Sequence, residues 1–324
     1  MNISIIMPIY NEELLLRKTL EYYEKLVGND FELILVNDGS TDGSGEICDE
    51  FSKKYDFIKV IHKENEGCVA ARKTGIEESN GKYIVFVDAD DFIDSDYLSN
   101  IRKAIKNDAD YYILNNKVNT NINKQFKVEK NFIKDGYIDR IQALEWIVSG
   151  KTGAVWDKIF VADIIKKNNI NFECRLNYGD DVYINLTYLK FVDRVYVQNT
   201  SSYNHYIDSV TSLSLNNINY NRLDEINLLY QEGISILNNS YVSERIIGKF
   251  ISVEIANFVK TIAELQNAGE KSRTIRNKIK NYPIYKECKI IINNGIVSMV
   301  YCILLKYKLV KLSKVICNLR VKRI

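Results

Sequence analysis

Residues that bind structural metals or cross-link small folds are scarce in this sequence. Its 324 residues include six cysteines, scattered without any C-x-x-C pair, and only two histidines. That spacing argues against a structural zinc site and against a disulfide framework, and it indicates a reducing, cytoplasmic compartment. The chain also lacks a linker rich in proline, glycine or serine, and it shows no internal repeat.

The chain ends also lack the signals of secretion and of a membrane span. Residues 1–11 contain no basic residue and are followed by two glutamates, so this segment is predicted to be a first strand and not a signal peptide. The uncharged run at residues 290–305 has 16 residues, including two asparagines and a glycine. A spanning helix needs about 20 apolar residues, so this run is too short.

The net charge of +2 conceals an unequal distribution. Residues 271–324 contain 14 lysines and arginines and one acidic residue, whereas residues 1–270 carry a net charge of −11. A basic tail on an acidic body suggests an anionic partner, either nucleic acid or a membrane surface. In residues 296–324 the basic residues punctuate an apolar helix, which favours a helix lying on the inner leaflet of a membrane over a nucleic-acid partner. The alternative is a helix packed on its own domain with a solvated basic face.

The first half of the chain alternates strand-like and helix-like segments. Apolar runs rich in β-branched residues predict strands at 3–10, 32–38, 58–63 and 83–90. Helices are predicted between them, at 12–27, 43–54 and 67–79. This order predicts an α/β fold with a mostly parallel sheet flanked by helices. Ligands of such sheets bind at the carboxyl ends of the strands, so the polar residues that end these strands are expected to share one crevice.

The second half is less regular. A strand pair is predicted within 110–133, followed by the helices at 139–149, 161–168 and 181–191. Helices alone follow, at 219–239 and 241–267. We therefore expect an α/β domain at 1–217, a helical region at 218–295 and the basic tail at 296–324.

The acidic loop Asp88-Ala89-Asp90-Asp91 is the clearest candidate for chemistry. Three carboxylates at the end of a buried strand repel one another unless a cation lies among them. Oxygen ligands of this kind suit Mg²⁺ or Mn²⁺, which leave open positions for substrate phosphates. The alternatives are a solvated loop and an N-cap for the following helix at 95–106, with Asp94 or Ser95 as the cap.

Other polar residues are expected at the same edge. Asp38, before Gly39, could accept the imide N–H of a pyrimidine, and Arg72 would point toward the same crevice. The glycines at 39, 43 and 45 do not complete G-x-G-x-x-G, because Cys48 stands at the last position, so a nicotinamide fingerprint is not supported.

Two further candidates lie later in the chain. Asp181, in Gly179-Asp180-Asp181, is either a general base at a helix start or an ordinary helix cap. His205 either completes a metal site with the aspartates or is structural, and His62 is interpreted as structural.

Seven blocks in this order resemble family 2 glycosyltransferases of bacterial cell-surface polysaccharide synthesis: MPIYNEE, LVNDGSTDGS, NEGCVAARKTGI, GKYIVFVDADD, VWDKIF, YGDDVYINL and HYIDSVTS. The match covers roughly residues 1–215. The resemblance implies a GT-A fold, a UDP-sugar donor, Mn²⁺ or Mg²⁺, and inversion at the anomeric carbon. It also implies a donor site formed by Pro8, Tyr10, Glu12, Asp38, Asn65, Arg72, Asp88 and Ala89.

The resemblance further implies metal ligation by Asp90 and, with less support from the pattern, by His205. Asp181 would be the catalytic base, whereas Asp180 replaces a glutamate that the family commonly has. Trp156 and Lys158 match the family's W-x-K block, with Trp156 interpreted as packing. The acceptor would be a glycan or a lipid-linked glycan. The alternatives are a non-catalytic nucleotide-sugar-binding or polysaccharide-binding protein and a sugar nucleotidyltransferase, although no phosphate loop follows the first strand.

Overall fold

The structure is a computed structural model that describes residues 2–26, 28–120, 125–129, 134–170, 172, 176, 178–207, 220–240 and 242–286. The predicted basic tail at 296–324 lies outside the described residues. The chain divides into two compact units. The sheet unit comprises Met1–Ala143, Ala154–Asn177 and Thr187–Val210, and the helical unit comprises Leu144–Gly153, Tyr178–Leu186 and the chain from Thr211 onward. The predicted boundary at residue 217 stays a prediction.

The described strands all belong to the sheet unit. They are β1 (Ile3–Ile9), β2 (Phe31–Asp38), β3 (Ile58–Lys63), β4 (Tyr83–Phe86), β5 (Phe92–Ile93), β6 (Tyr111–Leu114), β7 (Asn116–Thr120), β8 (Gln125–Glu129), β9 (Gly136–Asp139), β10 (Lys158–Val161), β11 (Arg194–Gln198) and β12 (Tyr203–Ile207).

The described helices follow in chain order. They are α1 (Glu13–Tyr23), α2 (Ser44–Lys54), α3 (Cys68–Glu77), α4 (Tyr97–Ala104), α5 (Arg140–Val148), α6 (Ala162–Lys167), α7 (Asp180–Leu189), α8 (Tyr220–Asn238), α9 (Glu244–Asn267), α10 (Ser272–Ile279) and α11 (Pro283–Lys286).

The larger sheet has the strand order β3-β2-β1-β4-β10-β6-β11-β9. Its first four strands are parallel, which confirms the predicted α/β fold, whereas β10 and β9 run antiparallel to their neighbours. Strands β2 and β4 are buried along their whole length, as expected when helices cover both faces of a parallel sheet. The carboxyl ends of β1, β2 and β4 therefore meet at one edge.

A smaller sheet has the order β5-β12-β7-β8, and its strand β5 comes directly after the acidic loop. Strand β12 pairs antiparallel with β5, which places Tyr203 opposite Ile93 and Asn204 opposite Phe92. This pairing brings the chain around residue 205 beside the acidic loop, although the two segments are more than 100 residues apart in sequence.

The sequence-based assignments differ from the structure in two respects. The sequence predicted none of β5, β9, β10, β11 and β12, which have two to five residues each. The alternative in which Asp94 or Ser95 caps the next helix is wrong, since α4 begins after Asp96. The carboxylate of Asp94 instead accepts hydrogen bonds from Lys117 Nζ and Asn204 Nδ2, at 2.5 and 3.0 Å, within the smaller sheet.

The helical unit has its own apolar core. Helices α8, α9, α10 and α11 contribute buried aliphatic and aromatic side chains, including Ile226, Phe258 and Ile275. Among the helices that the structure describes, none is both long and apolar enough to span a bilayer.

We expect Gly75→Ala to destabilise the sheet unit, because a Cβ at this buried position in α3 would lie 2.3 Å from Ile6 Cγ2 of β1. Overpacking of this kind costs about 1–3 kcal/mol in free energy of unfolding. Gly136→Ala in β9 is the matched control, since a Cβ there meets nothing within 4 Å. Chemical denaturation of the two variants would measure the difference, and equal stability would contradict the close α3–β1 packing.

Candidate active site

Hydrogen bonds join the loop that follows β1 to the loop that follows β2. Asn11, in the left-handed region at φ 56°, donates its backbone N–H to Ser40 Oγ at 3.0 Å. Its side-chain oxygen accepts the N–H of Thr41 at 2.8 Å, and the N–H of Glu12 donates to Ser44 Oγ at 2.8 Å. These reciprocal contacts fix the backbone beside which the exposed ring of Tyr10 lies.

Asp38, at the end of β2, holds the loop that follows β3. Its carboxylate is almost fully buried and accepts the backbone N–H groups of Glu66 and Gly67, at 3.0 and 2.8 Å, and Lys63 Nζ at 3.0 Å. Gly39, at φ +71°, allows this loop to approach, because a Cβ there would lie 2.7 Å from the backbone nitrogen of Asn65. Since a carboxylate offers about four acceptor positions, one remains available.

A histidine of β3 helps to hold the loop that follows β2. Asn37 Nδ2 lies 2.9 Å from His62 Nδ1, and His62 Nε2 lies 3.0 Å from Asp49 Oδ1. The amide can only donate to Nδ1, so Nε2 carries the proton and donates to Asp49. The oxygen of Asn37 accepts the N–H of Ser40 at 3.1 Å. The structural interpretation of His62 is thereby confirmed.

Arg72 and Asp88 form an ion pair at the end of β4. Arg72, on α3, is 4% exposed, and its Nη2 lies 3.1 Å from Asp88 Oδ1. The side chain of Asp88 is 28% exposed. A buried guanidinium thus directs a carboxylate that still reaches solvent, as the expected shared crevice requires.

Two acidic side chains at this edge are held in a form that resists ionisation. Burial, with the nearby charges of Asp91, Asp88 and Glu12, raises the pKa of Asp90 to about 8. Burial, with the charges of Asp42, Asp88 and Asp91, raises the pKa of Glu12 to about 7. Desolvation, the larger cause, and like charges both disfavour the carboxylate form, so Asp90 and Glu12 keep their protons to a higher pH than ordinary acidic side chains do.

The remaining aspartate of the loop anchors strand β12. Asp91 is 1% exposed, and its Oδ2 accepts the hydroxyl of Tyr203 at 2.6 Å, while that hydroxyl accepts the N–H of Asp88 at 3.0 Å. His205 Nδ1 lies 3.2 Å from both oxygens of Asp91. Trp156 stacks on the rings of Tyr203 and His205, with centroids 4.9 and 5.1 Å apart, so it packs as predicted.

This arrangement determines which nitrogen of His205 can bind a ligand. Burial lowers its pKa, but the hydrogen bond to Asp91 and the charges of Asp91, Asp88 and Asp90 outweigh burial and raise it to about 9. Because Nδ1 is engaged by Asp91, a ligand would meet Nε2, and a metal ion there would have to displace the proton that the raised pKa keeps on this nitrogen. A carboxylate that orients an imidazole in this way is the usual partner of a metal-binding histidine.

The side chains present fit a divalent cation only in part. Within the described ranges, no three histidine, cysteine, aspartate or glutamate side chains are grouped closely enough to hold a metal ion by themselves. Mg²⁺ is usually bound through one or two carboxylates, with substrate phosphates and waters as the other ligands. Asp90 and His205 Nε2 match that kind of incomplete donor set.

The other predicted residues are placed as follows. Pro8 lies in β1 opposite Val36, and Ala89 is buried between the aspartates. Asp181 is in the first turn of α7, in the helical unit. The sequence did not single out Tyr203, whose signal was only its place two residues before His205. Lys158 is fully buried and pairs with Asp157, and its Nζ donates to the oxygen of Ala154 at 2.9 Å.

Asp91→Asn should lower the pKa of His205 from about 9 towards 6.5, because the neighbouring carboxylate favours the imidazolium form that burial opposes. NMR titration of the imidazole signals in EDTA-treated protein would measure this change. The signals of His62, the other histidine, are the internal control and should superimpose in the two proteins. An unchanged titration of His205 would contradict its contact with Asp91.

Comparison of the sequence with protein-family models gives a match to "Glycosyl transferase family 2" over residues 4–170. The curated protein "Glycosyltransferase GlyA" of Streptococcus pneumoniae is 32% identical over 210 residues, which cover 62% of this chain and 30% of that protein. "Putative glycosyltransferase EpsH" of Bacillus subtilis is 31% identical over 176 residues, which cover 53% of this chain and 51% of that protein. The chain thus spans about half or less of the length of these two relatives.

Solved structures give the same fold. Residues 1–349 of S. aureus TarS, in complex with UDP-GlcNAc, superpose with a TM-score of 0.67 at 19% identity, covering 82% of this chain and 80% of that one. The mannosyltransferase PcManGT from Pyrobaculum calidifontis, in complex with GDP-Man and Mn²⁺, superposes with a TM-score of 0.57 at 14% identity, covering 95% and 86%. The family match spans just over half of the chain, and the chain therefore belongs to glycosyl transferase family 2 and has the GT-A fold.

Proposed function

We propose that this chain is an inverting, metal-dependent glycosyltransferase that moves a hexose or N-acetylhexosamine from a UDP-sugar to a hydroxyl of a cell-surface glycan acceptor. The acceptor would be a polysaccharide or a lipid-linked oligosaccharide. The observation that carries the proposal is the cluster of Asp88, Asp90, Asp91 and Arg72 at the carboxyl end of β4, in a chain of this family.

The donor nucleoside would bind at the hydrogen-bonded loops after β1, β2 and β3. Asp38 would accept the uracil imide through its remaining acceptor position, while its other contacts hold Asn65 near the base. Tyr10, with 48% of its surface exposed, would offer a face for stacking, with Pro8 and Glu12 framing the pocket. S. aureus TarS was solved with UDP-GlcNAc and with UDP, which supports a uridine nucleotide as the first choice.

Asp88 and Asp90 would have different roles toward the diphosphate and the sugar of the donor. Asp88, directed by Arg72, would contact the ribose or sugar, with Ala89 beside it. Asp90 and His205 Nε2 would hold Mn²⁺ or Mg²⁺ together with the donor phosphates. The bound metal would neutralise the diphosphate leaving group as a Lewis acid. Asp91 would keep His205 oriented, with its Nδ1 held by the carboxylate.

Asp181 would act as the general base toward the acceptor. Its place in the first turn of α7 favours the ionised carboxylate, because the helix dipole is positive at that end. The carboxylate would take the proton of the acceptor hydroxyl as the hydroxyl oxygen bonds to the anomeric carbon. The bond from that carbon to the phosphate oxygen breaks on the opposite face, so the configuration inverts and no covalent enzyme intermediate is needed.

Asp181→Asn should abolish transfer without weakening donor binding. Loss of general-base catalysis costs about 10²–10⁴-fold in turnover. Release of UDP from UDP-GlcNAc would measure turnover in the presence of a panel of cell-wall glycans, and calorimetry with Mn²⁺ or EDTA would measure donor affinity.

Asp180→Asn is the neighbouring control and should retain more turnover than Asp181→Asn. Asp90→Asn should lose the difference in donor affinity between Mn²⁺ and EDTA. Full turnover by Asp181→Asn would contradict the base assignment. A chain that binds UDP-GlcNAc but releases no UDP with any acceptor would be a non-catalytic nucleotide-sugar-binding protein.

Removal of residues 296–324 should release the chain from anionic membranes, if this segment is the proposed interfacial helix. The seven lysines and arginines of residues 306–323 would be attracted to anionic headgroups. Co-sedimentation with phosphatidylglycerol vesicles would compare the full chain with the truncated one, and phosphatidylcholine vesicles are the control. Equal sedimentation of both chains with anionic vesicles would rule out attachment through this segment to the cytoplasmic leaflet.

A further inference from the structure

The segment before α7 is held by helix α8 of the same helical unit. Tyr178 is partly buried against the core of this unit, and the guanidinium of Arg222 lies over its ring, 4.4 Å from the centroid. The two side chains also share a hydrogen bond. Arg222 thus contacts Tyr178 through both the ring face and the hydroxyl group, a contact that leaves the tyrosine little freedom to reorient.

A second contact holds the next residue. Gly179 has φ +78°, and a Cβ there would lie 2.4 Å from Leu229 Cδ2. Leu229 is on the buried face of α8, seven residues after Arg222, which places both on one side of that helix. The oxygen of Gly179 accepts the N–H of Tyr183 at 3.0 Å, the first hydrogen bond of α7. The direction of the first turn of α7 therefore depends on where α8 holds Tyr178 and Gly179.

We propose that Arg222 and Leu229 are positioning residues that set the orientation of the Asp181 carboxylate through Tyr178 and Gly179. This inference rests on the proposed role of Asp181 as the base. Asp181 is two residues after Gly179 and in the turn that the Gly179–Tyr183 bond closes. Because displacement of a catalytic group by about 1 Å can cost about 10²-fold in rate, a contact that fixes this turn affects catalysis without touching the substrate.

The surroundings of Tyr178 support a fixed contact over a loose one. Glu254, on α9, is 3% exposed and contributes to the electrostatic environment of the tyrosine. Burial and the charge of Glu254 raise the pKa of Tyr178 to about 12 against the opposing effect of Arg222, so the phenol is neutral at physiological pH. The ring of the neutral phenol can contact the guanidinium cation while its hydroxyl group takes part in a hydrogen bond.

The test is the release of UDP from UDP-GlcNAc with Mn²⁺ and water as the acceptor, measured as kcat and as donor KM. We expect Arg222→Ala and Tyr178→Ala to lower kcat about tenfold to 10²-fold with an unchanged donor KM. Tyr178→Phe, which keeps the ring under the guanidinium, should restore most of kcat. Arg245→Ala is the matched control, since this arginine of the same unit is 71% exposed and pairs with Glu145, and it should leave kcat unchanged.

A double-mutant cycle separates this inference from the proposed function. If Arg222 acts through Asp181, then Arg222→Ala should add no further loss in the Asp181→Asn background. Full kcat in Arg222→Ala, with Asp181→Asn inactive, would overturn the positioning role and leave the base assignment intact. Full kcat in Asp181→Asn would overturn the base assignment. Equal losses in Tyr178→Phe and Tyr178→Ala would also overturn the role of the Arg222–ring contact.

Discussion

Like-charge repulsion at the carboxyl edge of the parallel strands is the constraint on which the rest of the site depends. The pairing of β4 with β1 places the acidic loop beside the loop that follows β1, so Asp88, Asp90, Asp91 and Glu12 are held close together by the backbone. The pKa values of Glu12 and Asp90 are raised, which means that the folded chain binds protons there more tightly than the unfolded chain. The stability that these two protonated groups contribute is fully present below their ordinary pKa values, 4.5 for Glu12 and 3.8 for Asp90. It is lost as the pH rises through about 7 for Glu12 and about 8 for Asp90.

The structure offsets this repulsion at two positions and leaves it at a third. Arg72 neutralises Asp88, and Asp91 is satisfied by Tyr203 and His205, both of which are placed by the pairing of β12 with β5. For Asp90, burial together with the charges of Asp91, Asp88 and Glu12 raises the pKa to about 8. A divalent cation bound at a site of this kind would stabilise the carboxylate forms, because its charge would offset the repulsion among them.

The sequence predicted the part of the fold that depends on local patterns. Strands β1 to β4 are continuous apolar runs ending in polar turns, so both the strands and the residues at their ends could be identified, Asp38 and Asp88 among them. The pairing of β12 with β5 could not, because nothing local in Tyr203-Asn204-His205 indicates a partner 110 residues earlier. The same limit applies to Asp94, whose carboxylate accepts hydrogen bonds from Lys117 and Asn204 across the smaller sheet.

The two units impose different kinds of constraint on the proposed chemistry. In the sheet unit, Asp38, Asp88 and Asp90 follow strands whose register is fixed by hydrogen bonds along parallel neighbours, so the donor side has little freedom to vary without loss of the sheet. In the helical unit, the start of α7 is held by side-chain packing between Gly179 and Leu229 and between Tyr178 and Arg222. Packing contacts tolerate compensating substitutions better than a β-ladder register does. The orientation of the proposed base therefore depends on side-chain packing, whereas the position of the proposed donor residues depends on the register of the sheet.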